Sequence, residues 1–113
     1  MVVERGSAGT GLVGTLRRGD GPSIGLRADM DALPVQEANA VAHASCTPGQ
    51  MHACGHDGHT ALLLGGARSL ADTLTFSGTA HSIFQPAAAR EAGRQPTTHA
   101  GLFPPSPVAR ALA

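Results

Sequence analysis

A chain of 113 residues is long enough for one small domain, but this one has only three Phe and neither Trp nor Tyr, so small side chains must fill its core. Its eight basic residues, all Arg, balance eight acidic residues without forming a charged run, which argues against a nucleic acid partner. No apolar stretch approaches the roughly 20 residues of a membrane-spanning helix, so we expect no membrane partner and a cytoplasmic location.

Two strands are predicted in the first third of the chain. Residues Gly9 to Arg18 alternate apolar residues with Gly and Thr, and the pattern stops at the turn signal Gly19 to Pro22. Ile24 to Ala28 predicts a second strand, and the short turn between the two favours a hairpin. Asp29 and Asp31 follow this strand and share one side of the chain if the extended conformation continues.

These two carboxylates have two interpretations. Open α/β sheets bind ligands at the carboxyl ends of their strands, which favours Asp29 and Asp31 as metal ligands or as groups that orient a ligand. Aspartates after a strand are equally typical of turns. Arg27 is close enough in sequence to neutralise either carboxylate.

A loop and a helix are predicted next. Pro34 to Met51 shows no periodicity and predicts a loop, whereas a helix is predicted from about Gly58 to Leu74, with Asp57 as its N-cap. The apolar residues that line one helix face are Leu63, Ala67, Leu70 and Leu74. Gly65 and Gly66 each cost about 1 kcal/mol relative to Ala unless close packing against a sheet requires them.

The last predicted element is a strand from Thr79 to Phe84, ending at Gln85-Pro86. The order strand, strand, helix, strand indicates an α/β fold in which the helix covers one face of a sheet. From residue 88 onwards several prolines interrupt any periodic pattern, which predicts an irregular tail. We therefore divide the chain into an α/β domain, residues 1–87, and a tail, residues 88–113.

The densest group of candidate metal ligands lies immediately before the predicted helix and at its start. Five candidate metal ligands fall within one short segment: His52, Cys54, His56, Asp57 and His59. Imidazole and thiolate are the ligands that zinc and similar divalent metals prefer, although isolated residues of these types more often have structural roles. If Cys54 and His56 both bind metal, a turned backbone must hold them, and His52 and His59 either orient ligands, contact substrate or make structural hydrogen bonds.

Three segments, taken together, resemble one branch of the M20 family, which includes hippurate hydrolases, N-acyl amino acid amidohydrolases and auxin-conjugate hydrolases. They are GLRADMDALP at 25–34, MHACGHDGHT at 51–60 and IFQPA at 83–87. The resemblance implies part of an α/β/α catalytic domain that hydrolyses the amide bond of hippurate-like N-acyl amino acids with two divalent ions, Zn or Mn. It also implies that Cys54, as a bridging thiolate, and His56 bind metal, with Asp29 and Asp31 beside the site.

The sequence departs from the M20 pattern after residue 87. Ala88 and Ala89 stand where the family has two glutamates, the general base and a metal ligand, and Glu91 aligns only after a shift. The remaining ligand histidines and the lid domain of the family are not found, so we expect a fragment with weak or no activity, and the tail is a candidate for translation out of frame. The alternative is a small structural metal-binding or interaction module in which Cys46 and Cys54 share one ion with histidines. The oligomeric state stays undecided.

Overall fold

The structure, a computed structural model, describes residues 1–7, 9–72 and 75–86 and the backbone of residues 108–112. Within these residues the elements are β1 (Val2–Ser7), β2 (Gly11–Arg18), β3 (Ser23–Asp29), α1 (His56–Asp72), β4 (Gly78–Gln85) and β5 (Val108–Leu112). The strands form one mixed sheet in the order β1-β2-β4-β3-β5, with β3 parallel to both β4 and β5 and the other pairs antiparallel. This confirms the predicted α/β class, with a single helix among the described residues.

The two strands predicted in the first third of the chain correspond to β2 and β3, and the predicted hairpin between them is wrong. The neighbour of both β2 and β3 is β4, which lies between them, and the observed hairpin joins β1 to β2. The start of β4 passes directly beneath the turn: the Thr79 amide donates to the Pro22 carbonyl at 3.0 Å, and a Cβ on Gly21 would lie 2.5 Å from the Ser77 carbonyl oxygen. Because Gly21 has no side chain, the start of β4 can approach the turn, and β4 lies between β2 and β3. Sequence proximity alone did not indicate this arrangement.

The helix begins two residues earlier than predicted, and the prediction of Asp57 as its N-cap is wrong. Gly55 occupies that place with φ +78°, and its carbonyl accepts the first helical hydrogen bond, from His59 at 3.2 Å. Asp57 lies in the first turn instead, where a carboxylate still complements the positive end of the helix dipole.

The predicted apolar face of α1 is largely confirmed. Ala67 is buried and Leu63 and Leu70 are half-buried, while Leu74 lies outside the described residues. The two glycines inside α1 have no packing role, because a Cβ on Gly65 or Gly66 would meet nothing within 4 Å. Close packing against the sheet therefore does not explain them.

Small side chains form the core between α1 and the sheet, as the composition predicted. Ala28 and Ala80 on the strands and Ala67 on the helix are each less than 5% exposed. The register places Arg18 on the same sheet face as Ala80, and its guanidinium donates to the carbonyl of Ala71 near the end of the helix. The helix therefore covers this face.

The opposite face carries a buried histidine with a structural role. His81 is 8% exposed, and its two ring nitrogens bond the hydroxyls of Thr15 and Ser23, each at 3.0 Å. Both nitrogens are thus occupied by neighbours on flanking strands. His81 joins β2, β4 and β3 and offers no free nitrogen to a metal.

The predicted irregular tail is wrong at its end. Val108–Leu112 forms β5, which pairs in parallel with β3 and so takes backbone hydrogen bonds that would otherwise be left open at the edge of the sheet. Residues 87–107 lie outside the described part of the chain. No helix among the described residues is long and apolar enough to cross a membrane.

Candidate metal centre

The candidate site lies where two parallel strands and the helix meet. Asp29 ends β3 and Gln85 ends β4, and the Met30 amide donates to the Gln85 carbonyl at 2.8 Å, extending the pairing by one residue. His56, the first residue of α1, faces these strand ends through its contact with Asp31. The carboxyl ends of parallel strands are a common position for ligand sites in α/β sheets.

A single β-bridge brings the segment that contains His52 and His56 close to the end of β3. Leu33 and Met51 exchange two backbone hydrogen bonds, at 2.8 and 3.0 Å, and so close the predicted loop between them. The chain then turns at Gly55, whose amide donates to the His52 carbonyl at 2.9 Å. The loop prediction is confirmed, and its closure sets His52 and His56 beside Asp31.

Three side chains converge at this point. Asp29, Asp31 and His56 each offer one ligand atom, and the three atoms lie within 4.8 Å of one another. Among the described residues this is the only such group of three or more metal-capable side chains. The side chains are 13%, 6% and 25% exposed, respectively. Carboxylate oxygens and an imidazole nitrogen, partly withdrawn from water, suit a divalent cation.

Asp31 fixes the orientation of His56. The Nδ1 atom of His56 bonds the Asp31 carboxylate and also lies 3.3 Å from the Asp31 carbonyl oxygen. A carbonyl oxygen only accepts, so Nδ1 carries the proton, and in the neutral ring Nε2 keeps a free lone pair. This is the carboxylate–histidine arrangement that orients metal ligands in proteins.

Asp29 is held on both carboxylate oxygens. Arg27 donates from Nη2 to Oδ2 at 2.7 Å, and the Asp31 amide donates to Oδ1 at 3.3 Å. The expectation that Arg27 neutralises one of the aspartates is confirmed for Asp29. The turn-forming interpretation of Asp29 is confirmed, because its carboxylate accepts from the backbone amide of Asp31. The same carboxylate belongs to the convergent group, and its role at a metal site stays a prediction.

The other predicted site residues lie outside this group. Cys54 is exposed in the turn before the helix, and Asp57 and His59 are exposed in its first turn. His52 is exposed and donates from Nδ1 to the Asp31 carbonyl at 2.9 Å, and such a structural hydrogen bond was one of the three roles predicted for it. The roles of Cys54, Asp57 and His59 as ligands or neighbours of a metal therefore stay predictions.

The alternative site based on Cys46 gains no support. Cys46 and Cys54 are both free and exposed, and neither belongs to the metal-capable group of the described residues. Ala88, Ala89 and Glu91 lie outside those residues, so the position of a general base stays a matter of sequence.

Two contacts at the site were not predicted. Thr60 donates from Oγ1 to the His56 carbonyl at 2.8 Å and lies 3.3 Å from the Asp29 carbonyl, which ties the first helical turn to β3. Gln85 accepts from Arg27 Nε through its side-chain oxygen. A polar residue at the end of each parallel strand is the signal that would have identified Gln85.

A cavity of about 610 Å³ opens beside the group. Its walls include Val41, His43, Cys46, Met51, His52 and Asp57. The three members of the metal-capable group do not line the cavity, but His52 lines it and also bonds the Asp31 carbonyl, which connects the cavity to the group. It has the size of a small-molecule site.

Comparisons with known proteins find relatives of this chain. The model of peptidase family M20/M25/M40 matches residues 25–96, which extends past the expected boundary at residue 87. Hippurate hydrolase of Campylobacter jejuni is 47% identical over 95 residues, covering 83% of this chain and 24% of the relative. N-acetylcysteine deacetylase of Bacillus subtilis is 45% identical over 96 residues, covering 83% of this chain and 25% of the relative.

A solved structure gives the same result. The crystal structure of a Bacillus subtilis dinuclear metal-binding peptidase from the M20 family superposes with a TM-score of 0.70 and is 44% identical, covering 76% of this chain and 25% of that one. This chain therefore spans about a quarter of the length of these relatives. Since the family model matches more than half of its residues, the chain belongs to peptidase family M20/M25/M40.

Proposed function

We propose that this chain carries part of the metal centre of an amidohydrolase that cleaves the amide bond of N-acyl amino acids. The observation that carries the proposal is the convergence of Asp29, Asp31 and His56 at the carboxyl ends of β3 and β4. Hippurate hydrolase and N-acetylcysteine deacetylase, both named for N-acyl amino acid substrates, are similar to the chain through this region. The acyl and amino acid groups would occupy the cavity beside His52.

In this proposal His56 and Cys54 hold a divalent ion, Zn²⁺ or Mn²⁺, and Asp31 fixes the ring of His56. A divalent metal supplies Lewis acidity toward the amide carbonyl. His56 offers Nε2 because its Nδ1 proton is committed to Asp31. Cys54 precedes it by one glycine with positive φ, and this turn gives the thiol and the imidazole a route to a common ion. The exposed free cysteines suit a reducing compartment, so we also propose a cytoplasmic location.

The role of Cys54 is tested by cobalt spectroscopy. Co²⁺ added to the wild-type chain is expected to give a thiolate-to-metal charge-transfer band, because a thiolate ligand transfers charge to the bound ion. The Cys54→Ser variant should lose this band, and the matched Cys46→Ser variant should keep it. Loss of the band on replacing Cys46 instead, together with loss of cooperative unfolding, would favour the small structural module.

The chain by itself is expected to hydrolyse hippurate weakly or not at all with added Zn²⁺ or Mn²⁺. Ala88 and Ala89 can neither bind metal nor take a proton from water, and general base catalysis is typically worth about 10²–10⁴-fold in rate. The measurement is release of glycine from hippurate, with a complete M20 hydrolase as the positive control. Turnover close to that of the control would show that the base lies elsewhere and contradict the expected incompleteness.

A further inference from the structure

An unbroken series of contacts runs from the end of β4 to the first residue of the helix. Gln85 accepts from Arg27 Nε, and Arg27 Nη2 donates to Asp29 Oδ2 at 2.7 Å. Asp29 Oδ1 accepts from the amide of Asp31, and the Asp31 carboxylate bonds His56 Nδ1. We call this series the Arg27 relay. Every contact in it is polar, and each member before His56 holds the next.

We propose that Arg27 is a positioning residue for His56, acting through Asp29 and Asp31. The inference rests on the proposed metal centre, since it assigns the origin of the orientation that His56 needs to bind an ion. Arg27 does not touch His56 itself. Arg27 holds the Asp29 carboxylate, and this carboxylate accepts from the backbone amide of Asp31 and so holds the turn that contains Asp31.

The chemistry of the guanidinium explains why an arginine stands here. Its planar fork donates in two directions at once, from Nε to Gln85 and from Nη2 to Asp29, and so joins the ends of both parallel strands. A lysine keeps the positive charge but has a single ammonium on a flexible stem, which cannot hold both acceptors in this geometry. Asp29 is 13% exposed and Arg27 is 35% exposed, so water screens their pairing only in part.

Charge and positioning act in opposite directions on metal affinity. Removing the cation of Arg27 would favour a metal ion nearby, whereas loosening Asp31 would disfavour binding at His56. A neutral substitution therefore mixes the two effects. The Arg27→Lys substitution keeps the charge and removes only the fork, so that any loss in that variant reports positioning.

The test compares the wild-type chain with Arg27→Lys by two measurements. In the metal-free protein, NMR of the histidine rings is expected to show the His56 Nδ1–H proton protected by Asp31 in the wild type, and in fast exchange in the variant. Titration with Zn²⁺ by calorimetry is expected to show an affinity reduced by about 10–100-fold, the usual effect of losing an outer-shell contact. Arg17→Lys is the matched control, because Arg17 pairs with Asp20 on an exposed turn, and both readouts should match the wild type.

Unchanged proton exchange and unchanged Zn²⁺ affinity in Arg27→Lys would overturn the inference, and so would equal losses in Arg17→Lys. If the wild type binds no Zn²⁺ but Arg27→Lys still loses the protected proton, the proposed metal centre fails and the relay stands. Thermal unfolding shows whether each variant is folded. If Arg27→Lys does not unfold cooperatively, Gln85→Met replaces it, since this change removes the acceptor of Arg27 Nε and should reproduce both effects in weaker form.

Discussion

Replacement of His56 by Ala is expected to abolish tight Zn²⁺ binding by this chain. The proposed centre depends on the free Nε2 of this ring, and no other imidazole among the described residues belongs to the metal-capable group. The affinity for Zn²⁺ should fall by more than about 100-fold, which is the largest loss typical of replacing a residue that only orients a ligand. Isothermal titration calorimetry of the variant and the wild type measures the difference.

Asp31→Asn should have a smaller effect in the same measurement, about 10–100-fold, because Asn keeps the shape of Asp31 but holds the His56 ring without a charge. His43→Ala is the control, since His43 is exposed and lies outside the group. Affinity that survives in His56→Ala but disappears in His43→Ala would place the ion in the loop instead of at the strand ends.

Substitution of Gly78 by Ala is expected to destabilise the fold by about 3 kcal/mol or more. Gly78 has φ +138°, where a side chain is strained, and a Cβ there would overlap the carbonyl oxygen of Pro22. Neither side can retreat easily, because Pro22 also accepts from the Thr79 amide at 3.0 Å as β4 passes beneath the turn. In a domain of this size, each kcal/mol corresponds to a decrease in Tm of about 4–8 °C.

Gly65→Ala is the matched control, and its expected effect on stability has the opposite sign. Gly65 lies inside α1 with open space around it, so the same change should raise the stability by about 0.5–1 kcal/mol through helix propensity alone. Differential scanning calorimetry of both variants gives the comparison. A Gly78→Ala protein as stable as the wild type would mean that β4 does not enter between β2 and β3 under the turn.

Local patterns predicted most elements but not how the strands are ordered. Alternation in Thr79 to Phe84 and the four-three-four spacing of the helix correspond to β4 and α1 because both depend on residues close in sequence. Strand order depends on where β4 returns after the helix, and the contact of Gly21 with Ser77 that admits it joins residues far apart in the chain. Sequence proximity favoured a hairpin between β2 and β3, but the long-range contact allows β4 to lie between them.

The sequence predicted which residue types form the candidate site, and the structure shows how three of them are arranged. His56, Asp29 and Asp31 were identified from motif and position, and the structure brings these three together. The motif favoured Cys54 over Asp31 as a metal ligand, whereas in the structure Cys54 is exposed and Asp31 is the most buried member of the group. This arrangement depends on the bridge between Leu33 and Met51, because the bridge closes the loop and brings His56 next to Asp31. Nothing in the loop's own sequence marks Leu33 and Met51 as partners.

Anomalous X-ray diffraction from crystals of this chain grown with Zn²⁺ would locate the bound ion. We expect an anomalous peak within bonding distance of His56, at the carboxyl ends of β3 and β4 and beside Asp31. A peak bound to Cys46 and distant from His56, or no ordered ion in crystals that contain Zn²⁺, would contradict the proposed metal centre.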